Sequence, residues 1–285
     1  MKATSLSVNV RSGCNATCPF CIASTTWKTG HEGNRHLRAG LGRALNYARY
    51  HKVDTVLITG SGEPTLKRDL IMRILDETNR VGVPITELQT NGLLLARDDT
   101  YLDELDELHL NTVALSVASV SAPRSAELMS VEMDYFALAR QVSERGMLCR
   151  ISLNLVDEDS DFLKANLADY VDELRACGVK QFTLRQLGIP EKFDETEKAL
   201  AKVEWVKDKA MGLSDVEVLR DEIRMKGHLL RTLSYGASVY DYRGLSTCIA
   251  TCMTETTRED EIRSLILQPD GHLYDSWNYK GSCLA

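Results

Sequence analysis

Six short runs of β-branched and aliphatic residues, each separated from the next by a stretch of helical periodicity, constrain this chain more than any other feature. The runs fall at residues 5–10, 55–59, 85–90, 112–117, 149–156 and 181–187, and turn formers or helix starts bound them. Between them, Leu70, Ile71, Ile74 and Leu75 share one helix face, and Leu163, Leu167, Tyr170, Val171 and Leu174 share another. The second of these helices is expected to stop at Gly178 and a helix over 134–145 at Gly146, both residues suited to a left-handed cap. Strict strand–helix alternation predicts a parallel sheet with helices packed outside it. Six strands are too few to close an eight-stranded barrel. The expected fold is therefore α/β, a partial (β/α)6 parallel barrel whose working face lies at the C-terminal ends of its strands.

The alternation stops near Pro190. This divides the chain of 285 residues into a barrel domain, 1–190, and a C-terminal α+β extension, 191–285, expected to cover the barrel. The extension reads as two charged amphipathic helices over 191–211 and 215–233, with solvated faces. A hairpin follows, 265–268 and 272–274, turning at Pro269-Asp270-Gly271. Tyr235, Tyr240, Tyr242, Tyr274, Trp277 and Tyr279 are expected to form a small hydrophobic core under that hairpin, ahead of a role in stacking on a planar substrate. The net charge is −7 and no Lys/Arg block stands out, so a protein built to grip nucleic-acid backbones is not expected. No apolar run approaches the roughly 18 residues of a membrane span, and the first residues lack a signal-peptide core. A cytoplasmic protein without a membrane partner is expected.

Three of the eight cysteines lie within eight residues, Cys14-Asn-Ala-Thr-Cys18-Pro-Phe-Cys21, directly after the first strand. That places them in a loop at the working face. In a chain of this length without a signal peptide, metal ligation is a better reading than a disulfide set. Soft sulfur donors suit iron–sulfur or zinc. Structural zinc closes its shell with four ligands, commonly two close pairs; here no matching second pair follows, although a zinc loop stays open on spacing alone.

The C-x3-C-x2-C spacing with Phe20 before its last cysteine resembles the radical S-adenosylmethionine (SAM) superfamily. The resemblance continues at successive strand ends. Gly60-Ser61-Gly62-Glu63 is similar to the family's Gly-Gly-Glu loop, with Ser61 in place of the first Gly. Thr90-Asn91-Gly92 is similar to its Thr-Asn-Gly, and Ser116 and Asn154 stand where the family presents polar residues to SAM; Arg185 and Gln186 end the sixth strand. The likeness covers about residues 5–190. It implies a [4Fe–4S] cluster on Cys14, Cys18 and Cys21, and SAM positioned by Phe20, Gly60, Ser61, Gly62, Glu63, Asn91, Ser116, Asn154 and Gln186. It implies reductive cleavage of SAM to methionine and a 5′-deoxyadenosyl radical that abstracts hydrogen from a substrate. The substrate expected is a small polar metabolite, nucleotide- or sugar-like, with a flavodoxin- or ferredoxin-like electron donor. No catalytic acid or hydrogen donor is assigned.

The tail is most similar to the molybdenum-cofactor cyclase-like branch. Its Asp270-Gly271 hairpin fits, but Asp275 and Ser276 stand where relatives place a cysteine, and the Gly-Gly end of the cyclase is missing. Cys248, Cys252 and Cys283 are accordingly read as reduced thiols ahead of ligands to a second cluster, and Cys149 and Cys177 as core residues. Other readings are a glycyl-radical-enzyme activase, a peptide-modifying enzyme and, in a different class, a non-catalytic iron–sulfur protein.

Overall fold

The computed structural model describes residues 2–25, 33–190, 196–233, 235–251, 261–277 and 279–285. Through the first two thirds the elements are β1 (Lys2–Arg11), α1 (Arg35–Tyr50), β2 (Thr55–Ser61), α2 (Arg68–Val81), β3 (Ile85–Thr90) and α3 (Asp99–Glu107). Next come β4 (Thr112–Val117), α4 (Ala122–Met129), α5 (Tyr135–Glu144), β5 (Leu148–Leu155), α6 (Ser160–Ala176) and β6 (Val179–Gln186). The remainder holds α7 (Glu197–Lys209), α8 (Leu213–Lys226), β7 (His228–Thr232), β8 (Ser238–Tyr242), β9 (Leu245–Thr251), β10 (Glu261–Leu267) and β11 (Leu273–Tyr274). Gly146 and Gly178 adopt positive φ, 81° and 84°, just beyond α5 and α6 as anticipated.

β1 to β6 pair in sequence order and all in parallel. The parallel run does not end there. β10 joins in parallel beside β1, and β9 joins in parallel beside β6. The order β11-β10-β1-β2-β3-β4-β5-β6-β9-β8-β7 has two free ends, so the sheet is an unclosed barrel. Two strands of the C-terminal third thus extend the barrel wall itself.

Period-2 alternation assigns the two faces of the wall. Leu6, Val8, Val56, Ile58, Leu88, Val113, Leu115, Ile151, Leu153, Phe182 and Leu184 are buried under the helices, each stabilising the fold by roughly 1.5–3 kcal/mol through burial. The intervening positions, Ser7, Asn9, Glu87, Gln89, Ser116, Arg150, Ser152, Asn154, Thr183 and Arg185, share the inner face. The lumen is therefore polar.

Several expectations for the extension are corrected. The second helix ends at Lys226, and residues 228–232 form β7 instead of continuing it. Gly227 marks the turn: extended at φ −97° and ψ 160°, it leaves no room for a Cβ against Ile223 O, Asp241 O and the Tyr240 side chain, and the chain continues as an antiparallel pair with β8. The helices are not simply solvated, because α8 packs on α6 and β8 and buries Val216, Leu219 and Ile223. Nor do the tail aromatics gather under the hairpin. Tyr242 is buried and donates to Glu222 of α8 at 2.8 Å, Tyr235 stacks under Arg263, and Tyr274 donates to Asp270 within the hairpin at 2.8 Å. The hairpin itself forms as expected, Ile266 facing Tyr274 and Leu267 facing Leu273. No helix among the described residues is long and apolar enough to cross a membrane.

Candidate active site at the strand ends

The cysteine loop leaves β1 at Arg11 and is held down by its neighbours on three sides. On the first side is the glycine loop after β2. The Glu63 backbone N–H donates to Gly13 O at 2.9 Å, and Ser12 Oγ donates to Glu63 O at 2.7 Å. Gly62, at φ 129°, lies against these carbonyls so closely that a Cβ would collide with Ser12 O and Gly13 O; only glycine combines that φ with that approach. Gly60 is similarly constrained, a Cβ there falling 2.8 Å from Val10 O. Ser61 Oγ donates to Asn9 Oδ1 at 3.1 Å, and Asn9 Nδ2 donates to Gln268 Oε1 at 2.7 Å, so β2, β1 and the C-terminal hairpin share one polar chain.

On the second side are β3 and α4. Glu63 is 3% exposed. Its Oε1 accepts from Thr65 N at 3.0 Å, Thr65 Oγ1 at 2.6 Å and Thr90 Oγ1 at 2.6 Å, and its Oε2 accepts from Asn91 N at 2.9 Å. Four donors on one buried carboxylate make a strong strut, since hydrogen bonds to charged groups exceed neutral ones. Asn91 passes the restraint on: its Oδ1 accepts from Leu93 N at 3.0 Å and its Nδ2 donates to Asn15 Oδ1 at 2.7 Å, inside the cysteine loop. From the end of α4, Met129 O accepts from Thr17 N at 3.0 Å, and Thr17 Oγ1 bonds Ser130 Oγ at 2.6 Å.

The third side is α7, which sequence reasoning missed. Lys202 donates to Cys18 O, and Trp205 meets Phe20 with ring centroids 5.7 Å apart and tilted by 51°. Phe20 is thus packed toward the helix. No local signal in a Lys- and Glu-rich helix announces this contact, which spans 184 positions.

The thiols occupy a common field. Burial pushes the Cys14 thiol up, Ala16 N–H opposes it, and Glu63 and then Cys21 add to the rise; burial likewise pushes Cys18 up to about 12, with Cys21 and Cys14 contributing in turn. Ala16 N–H donates to Cys14 Sγ at 3.4 Å. Among the described residues no three His, Cys, Asp or Glu side chains converge closely enough to hold a single metal ion. A cubane asks for something different, because each thiolate reaches its own iron and the sulfurs stand further apart. Three sulfur donors on one restrained loop fit that chemistry. So does Asn15 Nδ2, a buried N–H donor in the middle of the loop with no partner among the described residues, because a buried donor without a partner is costly unless a bound group accepts from it.

The remaining strand-end residues divide. Ser116 and Asn154 share the inner face of β4 and β5, and neither has a side-chain hydrogen bond among the described residues. Gln186 is out of phase with Arg185 and shares the face of the buried Phe182 and Leu184. Ser119, beyond β4, donates instead to the buried Asp159 at 2.8 Å. Trp27, Lys28, His31 and Cys252 lie outside the described residues. Cys248 contacts Thr183 Oγ1 at 3.7 Å, Cys283 is exposed beside Tyr274, and Cys149 and Cys177 are buried. A separate cavity of about 660 Å³, lined by Val117, Pro123, Met133, Tyr135 and Phe136 among others, includes none of the cysteines.

Against known proteins, residues 8–135 match the model of the radical SAM superfamily. The molybdenum cofactor biosynthesis protein moc-5 of Caenorhabditis elegans is 25% identical over 155 residues, which are 54% of this chain and 25% of that protein. The solved structure of Streptococcus suis SuiB bound to S-adenosylmethionine has a TM-score of 0.63 at 18% identity, covering 96% of this chain and 60% of that one. Native anSMEcpe with bound AdoMet has a TM-score of 0.62 at 16% identity, covering 97% and 75%. The chain therefore spans a quarter of the curated relative and about three fifths of SuiB, and at these identities the structures establish likeness of fold. The matched stretch runs from β1 through the cysteine loop, the glycine loop and Asn91 to the start of α5. Residues 8–135 of this chain are thus similar to the radical SAM superfamily, a family whose cofactors are a [4Fe–4S] cluster and S-adenosylmethionine.

Proposed function

We propose that this protein is a radical SAM enzyme in which Cys14, Cys18 and Cys21 hold the cluster. Those three thiolates would hold the cluster, which together with bound SAM would supply reductive cleavage of SAM and, through it, hydrogen abstraction from a substrate. What carries the reading is the Glu63 strut: one buried carboxylate fixes the glycine loop to Asn91, and Asn91 fixes Asn15 between the first two cysteines. The chain's own residues then have distinct duties. Gly60 and Gly62 bring the β2 loop's backbone against the cysteine loop, where its polar groups orient the amino acid end of SAM. Asn15 Nδ2 donates to the bound group, and Ser116 and Asn154 present from the inner wall polar groups that no other described residue engages. Lys202 and Trp205 shield the cysteine loop from water along the face that α7 covers. Glu63, with its carboxylate filled by internal donors, acts as a positioning residue.

The substrate proposed is a small polar metabolite in the lumen, reduced through a flavodoxin- or ferredoxin-like donor. A peptide substrate is the second reading. It draws on the likeness of fold to SuiB, solved bound to its precursor peptide SuiA, and to anSMEcpe, solved with bound peptide.

The test is anaerobic reconstitution followed by an iron count and incubation with dithionite and SAM. About four irons per chain and 5′-deoxyadenosine are expected, with both lost in Cys18→Ala. A fully loaded protein that yields no 5′-deoxyadenosine, with metabolite pools or peptides added, refutes the enzyme reading.

A further inference from the structure

The chemistry of the lumen wall bears on which substrate it holds, and the inference rests on the radical SAM reading above. Arg150, Ser152 and Asn154 of β5 lie beside Gln181, Thr183 and Arg185 of β6, and these lie beside Ser246, Cys248 and Ala250 of β9. The only acidic side chain on the inner face of the described strands β1 to β6 is Glu87 of β3. It is already engaged: it pairs with a terminal nitrogen of Arg150 and accepts from Gln89 at 2.9 Å. Arg150 Nε remains buried and without a partner among the described residues. Arg185 is partly buried and has neither an ion pair nor a hydrogen bond among the described residues.

The space in front of this wall is bounded. Tyr235, on the turn between β7 and β8, stacks under the Arg263 guanidinium of β10 at 4.0 Å, bridging the two sides of the unclosed barrel. Burial raises its phenol, and Arg263, Cys248, Arg150 and Arg185 act on it in turn. Burial also pushes the Cys248 thiol up, while Thr183 and then Arg150, Arg185 and Arg231 pull it back. Arg150 of β5, Arg185 of β6, Arg231 of β7 and Arg263 of β10 thus lie within electrostatic reach of Tyr235 or Cys248, an excess of positive charge on this side of the barrel.

We propose that this wall is the substrate's anchoring subsite and that it takes an oxyanion, a carboxylate or phosphate group, on the Arg185 guanidinium, in the lumen that Arg185 shares with Arg150. A guanidinium offers parallel N–H donors in a planar fork that matches two oxygens of such a group. Behind a low-dielectric wall that pairing is stronger than at an open surface. In a chain whose net charge is −7, a confined positive lumen also sets where an anion enters, because the rest of the surface repels it.

The test titrates the cluster-reconstituted full chain by calorimetry with inorganic phosphate and, separately, with succinate, in the presence and absence of SAM. One of the two is expected to bind, identifying the anion, and Arg185→Gln is expected to weaken it at least tenfold. SAM affinity and the visible absorption of the cluster are expected to stay as in wild type. Wild-type protein that binds neither anion, or Arg185→Gln protein that binds as tightly as wild type, overturns the proposal. Should Arg185→Gln fail to fold, Arg185→Lys replaces it: the charge stays, the fork goes, and an affinity equal to wild type is again fatal. The two levels of inference fail separately. Anion binding without 5′-deoxyadenosine formation removes the radical reading, whereas 5′-deoxyadenosine formation without an anion site removes only the subsite.

Discussion

Asn91 Nδ2 donates to Asn15 Oδ1 at 2.7 Å, and this bond ties the end of β3 to the middle of the cysteine loop. Asn91→Ala removes it together with the Leu93 cap on Oδ1. The expected cost is about 1–3 kcal/mol, expressed mainly as a looser loop. Iron retained after desalting should fall, and the rate of 5′-deoxyadenosine formation should drop about tenfold. Unchanged iron content and rate in this variant contradict the role given to Asn91.

Glu63→Gln keeps the shape of the strut and loses its charge. One amide oxygen then faces donors that a carboxylate satisfied with two, and an N–H is set against Asn91 N–H or the threonine hydroxyls. A loss of roughly 2–3 kcal/mol is expected, visible as a lower denaturation midpoint in the full chain before any metal is added. Loss of activity with an unaltered midpoint would instead point to direct contact between this side chain and SAM.

Gly62→Ala tests the close approach of the two loops. The substitution meets both a φ of 129° and the carbonyls of Ser12 and Gly13, so strain of about 1–3 kcal/mol is expected. The loops must separate to accept it, and iron incorporation should suffer more than the melting temperature does. A variant that loads iron normally rules out the packing described.

Trp205→Ala and Lys202→Met examine the contact with α7. Removing Trp205 uncovers Phe20 and should cost about 1–3 kcal/mol, less than a fully buried Trp because the site is only partly enclosed. Removing the Lys202 ammonium frees the Cys18 carbonyl. In both variants the visible absorption of the reconstituted protein is expected to bleach several-fold faster in air. Bleaching at the wild-type rate means that α7 does not shield the cluster.

Asp159 supplies a pH dependence with a defined sign. Burial raises its carboxyl above 3.8, against the opposing effects of Ser119 and Val120 N–H. The folded protein therefore holds the proton more tightly than the unfolded chain, and stability from this group is gained as pH falls through the raised value toward 3.8. Asp159→Asn never carries the charge. Its melting temperature relative to wild type should be most favourable near neutrality and should decline as the medium is acidified through that window. A difference that is constant with pH excludes the linkage.

The β1–β6 wall and the cysteine loop were legible because both signals are local. Alternation along Thr112–Val117 is a property of six adjacent residues, and Cys14, Cys18 and Cys21 announce themselves by spacing alone. The same locality misled at residues 228–232, where Leu229 and Leu230 prolong a helical pattern, because these residues are a strand through their pairing with β8, further along the chain. β9 and β10 are strands because β6 and β1 offer unpaired edges, and their sequences carry no mark of which edge they will find.

The site divides along the same line. The sequence by itself determined the ligand chemistry, the glycines and the order of polar strand ends, since each is written within a few residues of its neighbour. Only the tertiary structure decided that Glu63 serves Thr90 and Asn91, that Lys202 and Trp205 of α7 close over the cysteine loop, and that Arg150 and Arg185 share a lumen with Cys248. The reason is physical. A hydrogen bond or a charge acts over a few ångströms in space, and separations of 27 to 184 positions along the chain hide every one of those side-chain bonds from a local reading.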